Sequence, residues 1–389
     1  MKRLLTFFLI CFSFVEYTRA EDIIDYKYWD EGKLTWDDFQ DTLSLKGVPS
    51  AFNAFLRIEK TEKRDGNTRT IRPEAQACFD KRHSFADRQI QNENLLRLFQ
   101  LKYDLLEMYR RRLQTELNLG VVGIAADNRT RQYMDLYTEQ SKKAEQETEN
   151  GQNEIKLQEW EFYVTKELIE NPAPSIPRIS PRRFGYGFYL GTGASFPVGS
   201  IADYWDPAWQ INVGFDLAYA NTHLLCDCSA GTARTRQEII VSNGQITDKW
   251  LRNGHNTYTS ISLGIGQQLI STKYFALMPY VGCIWSGYSD QAKIQEGRNE
   301  RTTLSYTNFN WTAGICFDYR FSTTISLVPS FWRGHREIFT ASIRTKLFIN
   351  REQFHNFKIA PDDNGSMLRG CKLGFSVACL GFSRLLQIK

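Results

Sequence analysis

Histidine is scarce in this chain, with five in 389 residues, and only His83 falls between residue 21 and the proline-rich segment at 172–182. The other four, His223, His255, His335 and His355, lie in the second half, and no Ser/His/Asp or Cys/His set is apparent in the first. Beyond the first fifteen residues there is also no apolar run long enough to cross a membrane as a helix, and any spanning structure must therefore be a barrel. Nor is there a surplus of one charge. Lys and Arg number 48 against 44 Asp and Glu, a spread-out net charge of +4 that suggests neither a nucleic-acid partner nor an acidic substrate. A disulfide framework is missing too: setting aside Cys11, seven cysteines remain, an odd number, most of them in strand patterns as small apolar side chains. Cys226 and Cys228 share a strand face, but no histidine or second cysteine pair stands beside them at ligand spacing, so no metal or other cofactor is expected.

What is present falls into four segments. Lys2 and Arg3, the apolar stretch 4–15 and Thr18-Arg19-Ala20 read as a secretory signal over 1–20. Lipoprotein processing at Cys11 is the alternative, but Ile10 before it is not small. Residues 21–171 form an α+β domain. Short strands are expected at 33–39, 51–61 and 68–79, an amphipathic helix at 92–117, and a solvated helix at 129–170, broken near Gly151 and folded back on the first. Residues 172–182 are a proline-rich spacer.

From 183 to 389 the pattern is alternation. Trp209, Ile211, Val213, Phe215, Leu217 and Tyr219 interleave with Gln210, Asn212, Gly214, Asp216 and Ala218, and segments at 184–193, 260–266 and 309–318 behave alike. The glycines of 185–193 belong to that alternation rather than to a phosphate loop, since no helix follows them. A soluble sandwich and an all-β antiparallel transmembrane barrel both alternate. Strands of about 10–13 residues, a Gly/Ser/Asn/Thr second face and aromatic strand ends favour the barrel. Short turns at Asn221, Ser271-Thr272 and Ser322 alternate with long loops at 232–256 and 290–305, the rhythm of bacterial outer-membrane barrels. Nine candidate strands, including 323–331, imply eight, or ten if 354–359 is another. An even count places both chain ends on the short-turn, periplasmic side.

Several short motifs in the first domain bear on its ancestry. Leu34-Thr35-Trp36-Asp37-Asp38-Phe39, Ala77-Cys78-Phe79-Asp80 with Ser84-Phe85, the helix 95–113, and Glu147-Thr148-Glu149-Asn150-Gly151 with Gln158-Glu159-Trp160 occur in order. In these the domain resembles a family of predicted secreted bacterial zinc proteases, uncharacterised in function, that carry a His-Glu-x-x-His helix. The resemblance implies a zincin-like scaffold over about 33–170. A zincin needs two histidines one helical turn apart and a glutamate base, yet Leu98, Phe99 and Lys102 stand at those positions and Asn150 at that of the later histidine. The resemblance thus implies a degenerate domain without zinc or base, whose former active site, around Leu98, Phe99, Lys102 and Asn150, is the expected ligand cleft.

The leading expectation is a non-enzymatic barrel, in contact with outer-membrane lipid, that anchors a periplasmic domain binding a protein, a peptide or peptidoglycan. One alternative is a cryptic hydrolase using Glu93, Asp104 or Glu107, although their ordinary role is ion pairing on a helix face. Another is a small ligand-binding barrel or pore.

Overall fold

The apolar stripe of the long helix needs a surface to cover, and the strands before it supply one. In a computed structural model describing residues 25–41, 49–175, 177–242, 247–290, 305–328, 336–357 and 366–388, the segment 1–20, Cys11 and His335 lie outside the described residues. The chain forms two compact units, one of residues up to 59 with 74–175, the other of 60–73 with 176–389.

The first unit contains β1 (Tyr26–Tyr28), α1 (Glu93–Leu119), α2 (Ile124–Glu147), α3 (Glu154–Glu170) and the near ends of β2 (Ala54–Asp65) and β3 (Thr68–Asp80), whose residues 60–73 belong to the second. β1 runs antiparallel to β3, with Tyr26 opposite Asp80, and β2 pairs with β3 as a hairpin. Leu98, Tyr103, Leu106 and Leu113 of α1 share one buried core with Ala75, Ala77 and Phe79 of β3. Two side-chain hydrogen bonds fix the helix on its strands: Ala75 N donates to Gln114 Oε1 at 2.7 Å, and Tyr103 Oη donates to Lys27 O at 2.6 Å.

One element departs from the sequence expectation. Residues 33–39 do not form a strand; Trp36–Asp38 is a 3₁₀ turn. Asp38 Oδ2 accepts from Thr35 N at 2.8 Å and from Lys27 Nζ at 2.7 Å, which curls the backbone. The break expected near Gly151 in the helix over 129–170 is present, dividing it into two helices that both pack on α1. Between them Glu149, Asn150 and Gly151 all take positive φ (48°, 56° and 88°), which no helix continues through. Gly151 has no alternative, since a Cβ there would stand 3.0 Å from Asn94 O.

The second unit is built from β4 (Ile179–Gly199), β5 (Ala208–Tyr219), β6 (Thr222–Arg234), β7 (His255–Gln267), β8 (Phe275–Asp290), β9 (Ser305–Ser326), β10 (Glu337–Phe357) and β11 (Ser366–Ile388). Each pairs antiparallel with the next and β11 pairs back on β4, so eight strands close into one ring and the sandwich is excluded. The count falls to eight because 309–317 and 323–331 do not make two strands. Ser322 is not a turn; a register shift between Arg320 and Ser322 bulges β9 and the strand continues to Ser326. Residues 354–357 are the end of β10 rather than a tenth strand. The first strand starts at Ile179, so the spacer's last residues already belong to the barrel. Ile179 pairs with Ile388, placing both barrel termini on one rim, beside the turns at 220–221 and 268–274. The tip of the β2–β3 hairpin groups with this rim: Thr68–Ile71 pair with Thr323–Ser326, and Asn67 Nδ2 donates to Lys273 O and Arg320 O.

The barrel's outward face is apolar from strand to strand, including Ile211, Phe215, Ile265, Val281, Ile315 and Leu347. A water-soluble protein does not expose such a band. Trp209 and Tyr219, Phe275 and Trp285, and Phe309 and Tyr319 are exposed pairs ten residues apart on β5, β8 and β9. At ~3.3 Å per residue and a tilt of ~40°, ten residues rise about 25 Å, the height of the apolar band on a membrane barrel. This is the exterior of a membrane-spanning barrel. Val281 lies midway between the aromatic levels, and Val281→Arg is expected to destabilise the barrel in lipid vesicles by about 2–4 kcal/mol, measured by denaturant titration against Trp209→Arg at the belt's edge, where the loss should be smaller.

Candidate functional site

The first unit has a cleft of about 990 Å³ beside the N-terminal turns of α1 and the α2–α3 loop. Leu98 and Phe99 floor it and Asn150 stands on its rim. The floor residues are core side chains, 1% and 4% exposed. Phe99 packs within 5.4 Å, ring to ring, of Phe39 and Phe52. Lys102 does not line the cleft. It is buried, with Nζ 2.5 Å from Glu145 Oε1 and 4.7 Å from the centre of the Phe52 ring. Glu145 does line the cleft, so the ion pair closes one side of its floor.

The rim is rich in amides. The side chains of Gln89, Asn150 and Gln152 are exposed and make no side-chain hydrogen bond among the described residues, so each offers a donor and an acceptor. Asn92 is engaged as the N-cap of α1, accepting from Leu95 N at 2.8 Å. Apolar floor, amide rim and one paired charge suit a chain of alternating polar and apolar groups, as in an extended peptide or a glycan. They do not suit zinc: two carbon side chains, a paired ammonium and an amide make no ligand set, and no group of three His, Cys, Asp or Glu capable of holding a metal occurs among the described residues.

The three carboxylates weighed for acid–base work are each in a different setting. Glu93 is on the cleft rim. Glu107 is buried and paired with Arg110 Nε at 2.6 Å and Arg111 Nε at 2.8 Å. Asp104 accepts from Trp29 Nε1 at 2.8 Å and Gln100 Nε2 at 2.7 Å. Burial, partly offset by those bonds, raises its pKa above the ordinary value. His83 is a surface residue whose Nδ1 meets Asp80 Oδ2 at 2.8 Å.

The barrel lumen carries charges that reading the sequence for a catalytic cluster missed. Arg344 Nε and Nη2 donate to Asp318, and Nη2 also reaches Asp216 Oδ2 at 2.8 Å. Lys346 Nζ crosses to Asp227 Oδ2 on the opposite wall at 2.6 Å, and Tyr189 Oη donates to the same carboxylate. Nearer the long-loop rim, Lys372 Nζ sits 3.4 Å from the centre of the Tyr258 ring and 3.4 Å from Glu352 Oε1. Side chains from opposing walls thus meet at three levels, as eight strands require. The one available signal was the placement of Asp216, Asp227, Arg344 and Lys346 on the face opposite the apolar residues of their strands. The seven described cysteines are unpaired; burial pushes the Cys78 thiol up to about 12, and Cys226 and Cys228 stand on the outward face without metal partners.

No protein-family model and no curated protein matches the chain. Among solved structures it is similar to Ail, the attachment invasion locus protein of Yersinia pestis, in complex with the heparin analogue sucrose octasulfate (11% identity, TM-score 0.27, covering 52% of this chain and 99% of that one). A major outer membrane protein of Thermus thermophilus (13% identity, TM-score 0.23, 51% and 98% covered) and the N-terminal β-barrel domain of Pseudomonas aeruginosa OprF (9% identity, TM-score 0.22, 52% and 99% covered) are similar as well. The architecture described above rests on the strand pairing itself.

Two outcomes test this geometry. Glu145→Ala strands the Lys102 ammonium and is expected to lower stability by about 1–3 kcal/mol, whereas adding Lys102→Met should recover most of the loss in denaturation of the full chain. Asp104, with its folded pKa raised, contributes stability that is present below its ordinary pKa and lost as pH rises through the raised value. Asp104→Asn keeps the acceptor for Trp29, so its stability advantage over the native chain should grow from acidic to neutral pH, read from the helical circular dichroism signal.

Proposed function

We propose that this chain is a bacterial outer-membrane protein whose barrel anchors the first unit in the periplasm, where the cleft binds a protein, a peptide or a peptidoglycan strand without chemical turnover. The observation that carries this reading is the division of features between the units. The barrel turns an apolar band outward and fills its interior with paired charges, whereas the first unit has an amide-rimmed cleft. A filled lumen supports the role of anchor over that of pore. The placement of both barrel termini on the short-turn rim supports a periplasmic first unit, since outer-membrane barrels keep their short turns there.

We read the first unit as a degenerate zincin-like scaffold. The position that would hold a second histidine carries Lys102, neutralised by Glu145 in place of a metal. Loss of the ligands supports binding over hydrolysis, and the engagement of Asp104 by Trp29 and Gln100 and of Glu107 by Arg110 and Arg111 supports the same conclusion.

Protease added to intact cells should leave residues 33–170 uncut, with cleavage appearing once the outer membrane is permeabilised. Cutting within that stretch on intact cells sinks the topology. Elemental analysis of the purified full chain should find no stoichiometric zinc, and one zinc per chain would overturn the degenerate reading.

A further inference from the structure

The short-turn rim of the barrel encloses a cavity of about 360 Å³ with cations that the lumen network does not use. Arg320 and Arg384 stand on its wall. Arg320 Nη1 donates to Thr272 O at 2.7 Å and Arg384 Nη2 to Ala220 O at 2.6 Å, and neither has a carboxylate within ion-pairing distance among the described residues. Each precedes a break in strand register, between Arg320 and Ser322 and between Arg384 and Leu386. Bulges at barrel rims commonly re-aim a side chain in this way. The surroundings hold the Arg384 side chain and the Arg320 backbone. A Cβ on Gly185 would come within 2.8 Å of Arg384 Cγ, and Asn67 Nδ2 holds the Arg320 carbonyl at 2.9 Å.

Beneath them lies Arg344, 2% exposed. Its Nε and Nη2 are taken by Asp318 and Asp216, but Nη1 is buried without a partner. His223 also lines the cavity, with Nδ1 2.6 Å from Asp216 Oδ1 and Nε2 unpartnered. The acidic groups here are accounted for: Asp216 and Asp318 are engaged by Arg344, and Asp65 by Lys273 at 3.2 Å. An interior that needed only neutralisation would not leave two guanidiniums on the wall and a third with a free donor below.

We propose that this cavity binds a phosphate group, held by the Arg320 and Arg384 forks with Arg344 Nη1 beneath it. Planar guanidiniums match oxyanions by paired N–H donors, and three of them lining one cavity suit the three or four oxygens of a phosphate better than the two of a carboxylate. Leu380 and Phe382 on the wall also accommodate a hydrocarbon attached to the phosphate, so the group has two sources, a soluble phosphate or a lipid headgroup. This site is independent of the cleft in the first unit, and failure of either leaves the other standing.

The test uses the full chain folded in non-ionic micelles, titrated calorimetrically with inorganic phosphate and, separately, with a short-chain phosphatidic acid. Saturable binding of at least one probe is expected, and the tighter of the two identifies the source. Arg320→Gln with Arg384→Gln should weaken it at least tenfold, while Lys249→Gln, on an exposed lysine paired with Glu238, should leave it unchanged. Should the arginine variant fail to fold, Thr340→Glu, which places a carboxylate on the cavity wall, should weaken binding equally. The proposal is overturned if neither probe saturates, if a folded arginine variant or Thr340→Glu binds as tightly as the native chain, or if Lys249→Gln weakens binding as much.

Discussion

Within a bilayer no water is available to a backbone N–H or C=O, so a sheet that crosses it must leave no edge. Most features of the second unit follow from that requirement. Closing β11 on β4 satisfies every strand, and closing with eight fixes a diameter at which opposite walls touch. Once they touch, inward charges cannot remain hydrated and must find partners across the ring, as Lys346 does with Asp227 and Arg344 with Asp216. Such pairs add little net stability over apolar packing, yet removing one member strands the other. They act mainly as a register lock, because a slip of one residue would turn Arg344 and Lys346 into lipid.

The first unit obeys different physics. Its sheet is small and its stability comes from one long helix laid on β3, fixed at Tyr103 and Gln114 by hydrogen bonds to backbone. The cleft is a by-product of how α1, α2 and α3 meet. Left-handed residues at 149–151 bring the loop against the start of α1 and leave a gap over Leu98 and Phe99. Glu145 reaches that gap only because α2 ends two residues later.

Period-two alternation made the barrel legible in the sequence, because outward residues must be apolar along the whole strand and Trp209–Tyr219 shows it without interruption. What was not legible depended on contacts remote in the chain. The bulge at Phe321 looked like a turn because it interrupts the alternation locally, and only pairing with β10 shows the strand continuing. The turn at Trp36–Asp38 looked like a strand because its curl is imposed by Lys27, eleven residues away. At the cleft, the family resemblance alone points to Leu98, Phe99 and Asn150 together. Glu145 stayed hidden because it lies 43 residues from the lysine it neutralises.

The aromatic pairs ten residues apart act as a depth gauge built into the chain. A belt of about 25 Å is shorter than the roughly 30 Å core of an average bilayer, and a rigid barrel, unlike a helix, cannot tilt freely to absorb the difference. The lipid must therefore deform around it, at a fraction of a kcal/mol per Å of mismatch. Spread around the circumference, that penalty makes membrane thickness itself an address, drawing the barrel toward thin bilayers and toward other short-belted proteins that have already thinned the lipid between them.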